Sequence, residues 1–204
     1  MSAEGASFGD SEALARAFEL ASHAHRGQQR HDGSAYIAHP LAVCELLAAR
    51  GASESMLVAA LLHDSVENSA TTVGEVTEAF GLEVGQLVAA LTEDEGIDEW
   101  VERKDALRAQ VRDAGPAAAA IYAADKLTNL RETRAIYAAH GEATTDLHKA
   151  PTLDLRVAAW RADLELVRTL VDAELAGELA AELERFERQR MHEGATAQEA
   201  GARG

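Results

Sequence analysis

Apolar residues recur along this chain at three- and four-residue spacing, and no segment alternates apolar and polar residues convincingly with period two. That pattern predicts amphipathic helices and gives strands no footing. Only three prolines interrupt 204 residues, and much of the 47% hydrophobic content is alanine, the best helix former. The expected fold is all-α, a single-domain helical bundle. Residues 1–9 are small and polar and read as a flexible N-terminus. Residues 10–192 read as the helical domain, and 193–204, EGATAQEAGARG, as a disordered tail.

Local signals divide the domain into elements. DSEALARAFELASHAHR forms a first helix, with Leu14, Ala17, Phe18, Ala21 and His25 at helical spacing and Gly27 past its end. His23 and His25 read as surface or structural residues. GQQRHDGSAYIAHP is a polar loop long enough to suspect function. Pro40 suits the first turn of a second helix running to Gly51. Ser53 caps ESMLVAALLHDSVEN, read as one continuous helix whose apolar residues wrap almost all round, so it should be central. Thr72 and Glu75 are placed as a capping box for the next helix. Further helices are expected over about 82–92, about 98–113 and from Pro116 onward. A last stretch runs from near Pro151 to about 191, with a break placed near Gly177. An exposed apolar side on it would suit a homodimer.

Charge narrows the partners. The formal net charge of −16 makes nonspecific binding to DNA, RNA or an anionic membrane unfavourable. A phosphate-bearing substrate would need a locally positive site, from metal or clustered Arg, Lys and His. The single cysteine, Cys44, excludes an internal disulfide and fits a reducing cytoplasm. It lies among apolar residues and reads as core. No apolar run reaches about 18 residues and no signal peptide is evident, so a cytoplasmic protein that does not span a membrane is expected.

The residues that can do chemistry lie where apolar ones are expected. LLHDSVEN places His63, Asp64, Glu67 and Asn68 in the central helix. Charged groups there need partners or a metal. His63 and Glu67, four apart, should share a helix face. A His-Asp pair supplies nitrogen and oxygen ligands, but two are too few for a firm site. His39, before Pro40, and Asp125, in an alanine-rich helix, are the candidates to complete it. Alternatively, His39 starts a helix bonded to backbone, and Asp125 pairs with Lys126 or Arg131.

YIAHP, then HDSVEN after a buried apolar run, then ADKLTNLRE, resembles the HD-domain phosphohydrolases. More closely, the chain resembles the small alarmone hydrolases and the hydrolase domain of the RelA/SpoT homologues. The similarity covers roughly residues 11–170 and includes HRGQQRHDGSAYIAHP, TTVGEVTEAFG, LTEDEG and ERK. It implies an HD-type bundle with His39, His63, Asp64 and Asp125 holding a divalent ion, usually Mn2+. It also implies a phosphorylated-nucleotide substrate, from whose 3′ side pyrophosphate or phosphate is removed. Glu67 and Asn68 fall at the pair that helps position and activate a water. Arg30, His31, Tyr36, Lys126, Asn129, Arg156 and Trp160 fall at substrate-contacting positions.

The sequence departs from that family at several points. Asn68 replaces an acid and cannot accept a proton at neutral pH. His31 replaces a lysine and is mostly neutral at pH 7. Trp160 stands where a tyrosine is common, and its alternative role is core packing. A lysine used by the family ahead of ERK is absent from TEDEGIDEWVERK. Two other functions compete with hydrolysis at the 3′ side: a noncatalytic nucleotide sensor and a general nucleotide monophosphatase.

Overall fold

The computed structural model describes residues 11–142, 144 and 150–201, with side chains described as far as 193. Residues 1–9, expected to be flexible, lie outside the described residues. Helices α1 (Glu12–Ala24), α2 (Ala38–Ala48) and α3 (Glu54–Leu62) pack with α3 between the other two. A one-turn α4 (Ser65–Asn68) leads to α5 (Val73–Phe80), α6 (Leu82–Leu91) and α7 (Trp100–Ala114). The long α8 (Pro116–His140) contacts α2, α3, α6, α7, α9 (Leu153–Val167) and α10 (Ala173–Gly201). No strand occurs among the described residues, only an isolated bridge between Gln29 and Ala35.

The start signals expected at Ser53 and Thr72 operate, and Ser11 adds another of the same kind. Ser11 accepts from Leu14 N and Ser53 from Met56 N, and Thr72 and Glu75 close a reciprocal capping box. Pro116 opens α8, where its missing N–H costs nothing. Between α3 and α8 the chain buries Leu61, Leu62, Ile121, Tyr122 and Leu127 in one contiguous core that includes Cys44. Burial pushes the Cys44 thiol up to about 11, as suits an unreactive core residue.

Three helix boundaries differ from those expected. The central helix breaks at His63–Asp64. His63 Nδ1 sits 2.8 Å from Ala60 O, taking the carbonyl that the backbone N–H of Asp64 would otherwise use. Glu67 therefore does not share a continuous helix face with His63. The final stretch breaks at residues 168–172, not at Gly177, because Asp172 Oδ1 accepts from Leu175 N and starts α10 there. Gly177 lies inside α10 at the usual cost of about 1 kcal/mol. The helix also continues to Gly201 through a segment expected to be disordered, whose alanine, glutamate and glutamine are good helix formers. Residues 202–204 are outside the described residues.

The apolar side of α10 is used within the chain. Leu175, Leu179, Leu183 and Phe186 are buried, and Phe186 packs edge-on against Tyr137 and Trp160.

Candidate active site

Three distant segments deliver the four expected ligand side chains to one point. Pro40 and α2 carry His39, the break after α3 carries His63 and Asp64, and the middle of α8 carries Asp125. His39 Nε2 lies 3.0 Å from Asp125 Oδ1 and 3.7 Å from Asp64 Oδ2. His63 Nε2 lies 3.4 Å from Asp64 Oδ1 and 3.7 Å from Asp125 Oδ1. Ligand atoms of His39, His63 and Asp125 fall within 4.8 Å of one another.

The donor chemistry fits a divalent cation. A carbonyl only accepts, so His63 Nδ1 must donate to Ala60 O, and a neutral His63 then presents the Nε2 lone pair. That buried Nε2 makes no hydrogen bond among the described residues. Burial opposes protonation of His63, but the carboxylates of Asp64 and Asp125 outweigh it and push it up to about 9. Burial holds His39 below its ordinary value. The cluster thus carries an excess of negative charge that a proton or a cation can answer, and a cation would displace the proton. Two imidazole nitrogens with two carboxylates suit a transition ion or zinc better than calcium.

Surrounding groups orient these ligands. Tyr36 Oη donates to Asp64 Oδ2 at 2.8 Å. Asn129 Nδ2 donates to Asp125 Oδ1, and Lys126 Nζ to Asp125 Oδ2 at 2.8 Å. The pairing of Asp125 with Lys126 therefore exists alongside its place in the centre. Burial opposes charge on Lys126, but Asp125 and its neighbours raise its pKa and keep it cationic.

A cleft of about 350 Å³ opens over Asp64 and Asp125. Arg30, His31, Tyr36, Glu67, Asn68, Lys126, Asn129 and Arg156 are among the residues that line it. The loop before α2 reaches it by turning tightly: Arg30 N donates to Ser34 O, and Gly33, at φ +82°, supplies the left-handed turn. Arg30 in turn bonds Asn129 Oδ1 at 2.8 Å and pairs with Glu132. Glu67 Oε1 accepts from Glu93 N at 2.5 Å, and burial holds Glu67 above its ordinary pKa. Burial and the neighbouring Arg30 lower the pKa of His31, keeping it neutral at pH 7.

Trp160 is not brought to the cleft. It is 1% exposed, packs edge-on against Phe186, and lies beside Arg156, whose guanidinium is 5.2 Å from its ring centre. Its indole fills core space that a smaller ring would leave empty. Conversely, the sequence reading assigned no role to Glu93, Trp100, Arg103 or Lys104, all of which line the cleft. Lys104 pairs with Glu93, as does Arg103 at 2.9 Å. The signal was present in ERK: its Arg103 and Lys104, one turn into α7, restore cationic charge where the preceding acidic stretch lacks a lysine.

The fold and these four side chains define an all-α protein built around a two-histidine, two-aspartate centre. A model of the HD domain matches residues 17–150, and the chain belongs to that family. It is 40% identical over 123 residues to guanosine-3′,5′-bis(diphosphate) 3′-pyrophosphohydrolase of Mus musculus, covering 58% of this chain and 68% of that protein. It is 41% identical over 124 residues to a probable GTP pyrophosphokinase of Mycobacterium leprae (strain TN), covering 58% of this chain but only 16% of that protein. Among solved structures it resembles a metazoan ortholog of SpoT that hydrolyses ppGpp. There the TM-score is 0.69 at 26% identity, covering 91% of this chain and 98% of the other. No described helix is long and apolar enough to cross a membrane.

Proposed function

We propose that this chain is a metal-dependent hydrolase that removes pyrophosphate or phosphate from the 3′ side of a phosphorylated nucleotide. The observation that carries the reading is the convergence of His39, His63, Asp64 and Asp125 beneath a cleft lined by both cations and carboxylates. The named activity of the mouse relative and of the SpoT ortholog supplies the substrate class.

His39, His63, Asp64 and Asp125 would hold the ion, for which Mn2+ is our choice. A divalent ion bound there makes water more acidic and neutralises phosphate charge. The residues then divide the work. Lys126, Arg156 and Arg30 bind phosphate oxygens, and Lys104 lines the same cleft. Glu67 accepts the proton of the attacking water through the carboxylate oxygen that Glu93 N leaves available. Water adds to the 3′ phosphorus, the bond from phosphorus to the 3′ oxygen breaks, and that oxygen leaves as a hydroxyl, taking up a proton returned by Glu67 or solvent. Asn68 cannot share the proton transfer, so of that pair only Glu67 can accept the proton.

The test is to incubate the purified, Mn2+-loaded chain with ppGpp, pppGpp, ppApp and NADPH and to separate the product nucleotides by ion exchange. Turnover of one of them, lost in Asp64→Ala, is the expected result. Full turnover in Asp64→Ala would overturn the assigned centre. Tight binding with no product from any of the four would favour a nucleotide sensor instead.

A further inference from the structure

Asn68 has surroundings that suit an amide and not an acid. Its Nδ2 lies 3.2 Å from Asp64 O and 3.3 Å from Tyr36 Oη. A backbone carbonyl can only accept, so the atom beside it must be the amide nitrogen, which fixes the orientation of the side chain. Both hydrogens of that nitrogen are then committed, one to the carbonyl and one to Tyr36. Tyr36, accepting from Asn68, gives its single hydroxyl hydrogen to Asp64 Oδ2 at 2.8 Å. A carboxylate at position 68 could make neither donation. It would face the lone pairs of the Asp64 carbonyl and compete with Asp64 for the tyrosine hydrogen.

The Tyr36 ring is fixed from its other side by a buried histidine. His25, 3% exposed, stacks on it with ring centres 4.6 Å apart and planes 25° apart. Gln28 Nε2 donates to Asn68 O at 2.7 Å, so Gln28 Oε1 is the acceptor for His25 Nδ1 at 2.9 Å. His25 and Gln28, beyond the end of α1, therefore hold both the ring of Tyr36 and the backbone of Asn68.

We propose that Asn68 is a positioning residue: with His25 it commits the hydroxyl hydrogen of Tyr36 to Asp64, and so sets the orientation of that carboxylate toward a bound divalent ion. This rests on the metal-centre part of the proposed function and not on any substrate. Groups that orient metal ligands typically change metal affinity by about 10- to 100-fold when removed.

The test measures Mn2+ affinity of the full chain, by the electron paramagnetic resonance signal of free Mn2+, in the wild type, Asn68→Ala, Tyr36→Phe and the double variant. Tyr36→Phe keeps the stacked ring, and circular dichroism melts verify that each variant is folded. Each single substitution should weaken Mn2+ binding by about tenfold or more. The double variant should lose less than the product of the two single losses, because Asn68 acts largely through Tyr36. Removing the stack with His25→Ala should weaken binding, and His25→Phe should restore much of it. Wild-type Mn2+ affinity in Asn68→Ala, or fully multiplicative losses in the double variant, would overturn the proposal. A wild-type chain that binds no Mn2+ would overturn the metal centre itself, a result distinct from failure of the coupling.

Discussion

His39 Nε2 and Asp125 Oδ1 lie 3.0 Å apart across 86 residues of chain, and both are almost fully buried. Two such groups are kept together in a core only if their charge is answered, here by Lys126, His63 and, in the reading above, a cation. Asp125→Ala removes the carboxylate and leaves Lys126 without its partner. The metal-free variant should lose about 3 kcal/mol of stability in denaturant melts. Adding Mn2+ should raise the melting temperature of the wild type and not that of the variant. An equal Mn2+-dependent rise in both would remove Asp125 from the centre.

Glu67 carries a separate consequence. Burial raises its pKa, so it protonates at a higher pH than an ordinary glutamate, near 4.3. As pH falls, the accepting form disappears first on this residue. With metal saturating, kcat should therefore fall on the acid side with a midpoint above the ordinary carboxylate range. Glu67→Gln should lower kcat by about 10²- to 10⁴-fold and abolish that acid limb, with KM little changed. A variant retaining both rate and limb would place the proton acceptor elsewhere.

Helices α5 and α6 meet closely because Gly85 has no side chain. A Cβ built there would stand 3.0 Å from Thr77 Cβ and 3.2 Å from Thr77 Cα. Thr77 cannot yield easily, since its hydroxyl bonds Val73 O at 2.8 Å and its backbone belongs to α5. Gly85→Ala should destabilise the chain by about 1–3 kcal/mol despite the gain in helix propensity. Urea unfolding would detect it, and a stabilised variant would show that α5 is free to move.

How much of this was legible depends on the range of the interaction. Caps at Ser53 and Thr72 and the all-α class follow from local spacing, and the structure has them. His63 and Asp64 stood out because a histidine and an acid in an apolar run demand an explanation, while the full set with His39 and Asp125 was implied by the family resemblance. The break at His63 was not, because it depends on which carbonyl a histidine nitrogen selects, and helical periodicity continues through it. Trp160 shows the same limit: a single indole four residues after Arg156 can face cleft or core, and only the position of Phe186 on α10 decides. Lys104 was hidden by the acidic run before it, since a net charge says nothing about where one cation points. Gly85 gave no signal, because the tight approach of Thr77 is a property of two helices and not of either one.

His31 gives a prediction about substrate binding. It lines the cleft beside Arg30, and burial with the neighbouring guanidinium lowers its pKa below the ordinary 6.5. At pH 7 it is therefore neutral and offers a polyphosphate hydrogen bonding but no charge. A lysine there would remain charged, and an exposed charge pairing of this kind is worth about 0.2–1 kcal/mol. His31→Lys should lower KM by up to roughly fivefold at pH 7, with kcat nearly unchanged, because the added attraction acts on bound substrate and transition state alike. The difference shrinks with acid: as pH falls below the lowered pKa, His31 gains its proton, and the wild-type KM should approach that of the variant. Steady-state kinetics of both proteins from pH 5.5 to 8 would decide the matter. A constant KM ratio across that range would mean that His31 does not meet the phosphates.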